Sequence, residues 1–213
     1  MALSKVNYNS LNVTAAASKA LKWNSTPNGF ETGDVGGSLV LLATETASSS
    51  ATITFDSNID STYKEYVFKF FNIHPQTDNK DFGVNFRDGS TAYDATKTTT
   101  YFHSVHDEAD TSTSLAYITG HDEAQSTDQA LLSEGISSDA DHGSSGYVHL
   151  FDPSSTTFVK HFICRSNGTR HGNQTSDVFV AGYCNVTAAI DGVQFKMSSG
   201  NIDDGVIKMY GVS

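Results

Sequence analysis

Phe82-Gly83-Val84-Asn85-Phe86 and Val193-Gln194-Phe195-Lys196-Met197 decide how this chain is read. In both, an apolar side chain falls on every second residue. That period turns one face of a strand toward a core and the other toward water or a second layer. Outward from these stretches the pattern recurs. In Tyr63–Ile73, Tyr66, Phe68 and Phe70 share one face and Val67, Phe71 and Ile73 the other, which predicts a central strand partly covered on both sides. Phe82–Phe86 is expected to pair back on it across the turn-rich His74–Asn79. Further strands are predicted over Leu39–Ala43, Ala51–Phe55, Thr98–Val105 and Leu115–Ile118, with a short one at Ala130–Leu132. Tyr147–Phe151, Thr157–Cys164, Val178–Val186, Val193–Met197 and Val206–Tyr210 complete the set. Turn clusters such as Asp152–Ser155 and Ser199–Asn201 separate them, and no stretch of comparable length carries a helical stripe. The expectation is an all-β fold: an antiparallel β-sandwich, jelly-roll-like, with an extended N-terminal arm.

The arm is residues 1–37 and the sandwich a single domain over 38–213. Residues 1–37 are rich in Asn, Ala and Gly and hold few apolar anchors: Leu3, Val6, Leu11, Val13, Leu21, Trp23 and Phe30. Too few to fold alone, they fit an assembly arm ordered by lying on a neighbouring subunit, with Trp23 as its anchor. A loose terminus is the competing reading. Thirteen basic residues against twenty-four acidic ones give the 213-residue chain a net charge of −11, which repels phosphate backbones and argues against a nucleic-acid partner. No apolar run is long enough for insertion into a membrane.

Residues for chemistry are sparse. His103 and His106 lie three apart, on opposite faces of a strand, and no His-Glu-X-X-His or Cys-X-X-Cys pattern is present. Gly-X-Ser-X-Gly and phosphate-loop patterns are missing as well, so no catalytic residue and no cofactor is assigned. Two Gly-containing turns, Asp139–Gly143 and Asn201–Gly205, collect oxygen ligands of the kind calcium prefers; Asp139, Asp141, Asp203 and Asp204 are the candidates. Neither turn has the closing Glu of an EF-hand, and solvated acidic turns are the plainer reading. Tyr93, Tyr101 and Tyr117 are candidate glycan-stacking rings, with core packing as the alternative. Cys164 and Cys184 sit in strands that could be neighbours; a cross-strand disulfide is conceivable, and two buried free thiols are expected.

Several phrases look familiar as a set: Gly37–Leu42, Ser49–Phe55, Ile59–Phe70, Asn72–Pro75, His149–Thr157 and Phe195–Ile202. Together they resemble structural proteins in the virions of tailed bacteriophages, especially marine ones. The resemblance runs from near Gly29 to the C-terminus, is weakest over Gly120–Gly146, and brings no catalytic residue. It implies a non-enzymatic virion protein, made in the host bacterial cytoplasm and displayed on the particle exterior. A capsid decoration (cement) protein is the leading expectation, since the chain has no repetitive fibre shaft. Its partners would be copies of itself, as a homotrimer, and major capsid or tail proteins of the same virion. The alternatives are a tail-fibre or receptor-binding tip recognising a host surface glycan as a lectin does, and a polysaccharide depolymerase, which needs a carboxylate pair in a cleft.

Overall fold

Strands with one apolar face need a second layer to bury it, and this chain supplies one by changing sheets as it proceeds. The structure is a computed structural model describing residues 19–23, 26, 29–34 and 38–213. The strands are β1 (Lys19–Trp23), β2 (Phe30–Asp34), β3 (Leu39–Thr46), β4 (Ile53–Phe55), β5 (Glu65–Pro75), β6 (Lys80–Arg87) and β7 (Lys97–Asp107). They continue with β8 (Thr113–Tyr117), β9 (Ala130–Ile136), β10 (Ser144–Phe151), β11 (Lys160–Arg170), β12 (Gln174–Cys184), β13 (Gly192–Met197) and β14 (Ile202–Val212). No helix occurs among the described residues.

Strands β3-β14-β5-β10 lie in one sheet and β4-β13-β6-β9 in the facing one, all antiparallel. Leaving out two insertions, each step along the chain changes sheet except β6 to β9, which are neighbours in the second sheet; this is the double Greek key of a jelly roll. The insertions are β7–β8 and β11–β12. Both extend the first sheet, which becomes β3-β14-β5-β10-β11-β12-β7-β8. Arg170 on β11 pairs with Ile136 on β9 and ties the two sheets together.

The faces that meet are those the alternation marked. Phe195 of one sheet lies 5.7 Å from Phe68 of the other, 5.7 Å from Phe82 and 6.2 Å from Phe55, while Phe70 meets Phe82 at 5.3 Å. Most of these pairs are edge-on or tilted, geometries that suit the ring quadrupole. In the extension, Phe162 lies across β12 at Gly182. A Cβ there would come within 2.9 Å of the Phe162 ring and 2.7 Å of the Thr98 carbonyl, so no larger residue fits.

Three details differ from expectation. β6 does not pair with β5, whose two edges are taken by β14 and β10; β6 instead joins β13 and β9 in the opposite sheet. The turn after Pro75 is a crossing between layers rather than a hairpin. Second, Ile73 is not on the face opposite Phe70. Asn72 has φ +50°, and the register beside it slips by one residue against both neighbouring strands. That β-bulge returns Ile73 to the core and leaves Phe71 outside.

Third, residues Lys19–Asp34 are not one extended strap. β1 and β2 form an antiparallel hairpin in which Trp23 opposes Phe30, their rings stacked at 4.4 Å, with Lys22 3.4 Å from Glu31. A cross-strand aromatic pair of this kind favours a hairpin over an open chain. The hairpin belongs to a unit, Met1–Ser38, distinct from Leu39–Ser213. Leu3, Val6, Leu11 and Val13 lie outside the described residues.

The cysteines are free and buried. Cys164 opposes Val180 and Cys184 opposes Lys160, so four ladder steps, about 13 Å, separate them, too far for a disulfide. Burial pushes both thiols up, Cys184 to about 12. Iodoacetamide at pH 8 should therefore leave both unmodified in the native protein and label both in denaturant. Native labelling of either would contradict this burial.

Candidate functional site

The two acidic turns proposed for calcium arrive at one place. The Asp139–Gly143 turn precedes β10, and Asp203 and Asp204 lie at the start of β14; β5, with its bulge, lies between these strands in the sheet. A cavity of about 710 Å³ is lined there by Asn72, His74, Asp141, His142, Asp203 and Asp204 among others. Asp139 stands beside it, 3.8 Å from His142. His74 Nδ1 is 2.9 Å from the His142 carbonyl oxygen, and the Gly205 N–H donates to Asp204. The Asp141 side chain is 92% exposed, and among the described residues no group of three or more His, Cys, Asp or Glu is placed to hold a metal ion. The acids share a neighbourhood without converging on a point.

A second cluster is enclosed. Glu134 on β9 is 3% exposed and takes a hydrogen bond from the inward-facing His103 of β7. His121, in the β8–β9 loop, is 3.1 Å from its other oxygen, and Arg170, at the end of β11, is 3.4 Å away. Burial pushes the Glu134 carboxyl up, but the His121 hydrogen bond and the charges of Arg170 and His103 outweigh it and hold the carboxyl below its ordinary range. The same hydrogen bond raises His121, against its burial. Tyr101 packs edge-on to His121 at 5.0 Å, and burial pushes its phenol far above the usual range. Four parts of the chain are pinned here by charge. His106, on the opposite face of β7, is exposed and reaches Asp110 instead.

The third feature is the outer face of the long sheet. Register places Phe102, Phe179, Arg165 and Tyr147 in one row across β7, β12, β11 and β10. One step along, Thr100, Ala181, Ile163 and His149 form a second row; Thr98, Tyr183 and His161 form a third. The middle row is low, because Ala181 and Thr100 are small, so the outer rows wall a trough. Hollows of about 350 and 300 Å³ share Thr100, Ile163 and Ala181. In the first wall Phe102 and Phe179 are parallel at 4.9 Å, and the Arg165 guanidinium lies 4.8 Å from the Phe179 centroid. Asp177 clamps Arg165 through two hydrogen bonds of 3.0 and 2.9 Å. In the other wall His161 lies 6.0 Å from Tyr183.

Of the three tyrosines singled out from sequence, Tyr101 is core. Tyr93 lies beside Arg87, whose guanidinium is 5.6 Å from its ring, away from this trough. Tyr117 is exposed and opposes Phe102, extending the first row onto β8. No protein-family model matches the chain, and no curated protein and no solved structure matches it.

Proposed function

We propose that this chain is a non-enzymatic structural protein of a phage virion, displayed on the particle exterior, where it acts as a decoration protein. The observation that carries the reading is the N-terminal hairpin, a separate unit whose Trp23 and Phe30 are 62% and 40% exposed although stacked on each other. A lone two-stranded hairpin is marginal in water, so a partner that covers this pair stabilises both the hairpin and the attachment. The partners in this reading are copies of the chain, as a trimer, and neighbouring capsid or tail subunits. The virion assignment rests on the sequence resemblance. A jelly roll alone does not select a function, since many unrelated functions share such folds. A chain lacking residues 1–38 is expected to stay folded and to be absent from purified particles. Undiminished incorporation would remove the basis of the proposal.

The receptor-binding tip is a second reading, favoured by the aromatic trough on the outer sheet face. The depolymerase alternative would draw on the acids of the end cavity, and the 92% exposure of Asp141 leaves that group in water rather than beside a dry cleft wall.

A further inference from the structure

We infer that the trough across β7, β12, β11 and β10 binds a short, uncharged oligosaccharide. This goes beyond attachment by the N-terminal unit and stands whichever part of a virion carries the chain.

Four strands spaced about 4.8 Å apart give a trough about 14 Å long, and four residues along a strand set its walls about 13 Å apart at the backbone. The floor is apolar at Ala181 and Ile163, the latter 44% exposed. One wall presents the upright edges of Phe102 and Phe179. A sugar ring is itself two-sided, with C–H groups for such a floor and hydroxyls around its rim. The hydroxyls have partners. Thr100 on the floor and Tyr183 and His161 on the far wall carry hydroxyl and imidazole groups, and Arg165 on the near wall keeps a terminal nitrogen outside its pair with Asp177, which lies one row beyond that wall. Polar groups thus stand on both walls, as a ring with hydroxyls around its rim requires.

Charge selects an uncharged ligand. Arg165 is matched by Asp177, and His149 at the end of the floor is hydrogen-bonded to Glu65. Among the described residues the trough's one guanidinium is thus already paired, and the chain's net charge of −11 repels a polyanion. The trough also disfavours an extended peptide. The backbone beneath it is fully laddered from β10 through β11 and β12 to β7, so a peptide's amides would find no open strand edge. A saccharide has no such backbone to satisfy.

The full chain should be screened on a printed array of neutral and acidic oligosaccharides, beside an array of extended peptides. The best neutral binder is then titrated by NMR against methyl-labelled Ala181 and Ile163. Binding of a neutral glycan with shifts at both methyls is expected. Ala181→Trp, which fills the trough from an outward position, and Phe179→Ala, which removes a wall, should each weaken binding roughly tenfold or more. Thermal melting reports whether each variant remains folded, and either folded variant suffices for the comparison. The inference is overturned if no neutral glycan binds, if acidic glycans or peptides bind in preference, or if binding survives in a folded variant.

Discussion

Replacing Phe195 by Ala is expected to lower the stability of the domain by about 3–5 kcal/mol, read as a shift of the chemical unfolding midpoint at unchanged slope. Phe195 is fully buried and meets Phe55, Phe68 and Phe82, so its ring belongs to both sheets at once. Truncation removes apolar area and leaves a void that the three surrounding rings keep from closing. Phe71→Ala is the control. That ring sits outside the bulge at Asn72, is partly exposed, and should cost no more than about 1 kcal/mol. Equal losses for the two would mean that the inward and outward faces have been assigned wrongly.

The second large effect concerns Glu134. Glu134→Gln keeps the shape but takes the countercharge from Arg170 and from protonated His121, and should cost about 3 kcal/mol because both half-buried groups are left beside a neutral amide. The loss should depend on pH in a specific way. Glu134 is depressed below its ordinary 4.5, so its contribution is present above that value and disappears as pH falls through the folded-state pKa. His121 is raised above 6.5, so its contribution is complete below 6.5 and declines as pH rises through its folded-state pKa. The wild-type advantage over Glu134→Gln is therefore greatest between 4.5 and 6.5 and narrows on both sides. Unfolding curves for the two proteins from well below pH 4.5 to well above pH 6.5 measure it. A difference that stays constant with pH would contradict the charge network.

Strand positions were legible because alternation is local. Phe82, Val84 and Phe86 announce a buried face whatever lies opposite. What alternation cannot specify is the neighbour, and this explains why β6 was expected beside β5 when it pairs with β13, more than a hundred residues later in the chain. Asn72 defeated the phase of β5 for a related reason. One residue in the left-handed region shifts every side chain beyond it, and nothing in the alternation reports that shift.

The candidate sites were less legible. Asp141 and Asp203 were noticed as separate turns, and only the path of β5 between β10 and β14 brings them to one cavity. Glu134 did leave a signal, a single acid inside the apolar Leu131–Ile136, which requires a buried partner. Its partners come from β7, β11 and the β8–β9 loop, so their identity needs the fold. The trough depends on register across four strands, and no segment by itself carries it.

The β7–β12 ladder has a consequence for biosynthesis. All eleven residues of β7 are matched to β12, yet β8, β9, β10 and β11 are translated between them. During translation β7 leaves the ribosome with only the five-residue β8 to pair with on one edge, so its other edge and the inward Tyr101 and Val105 wait for β12 to emerge. Such long-range closure slows maturation and exposes sticky intermediates, so the added hairpins should be the last part of the domain to set.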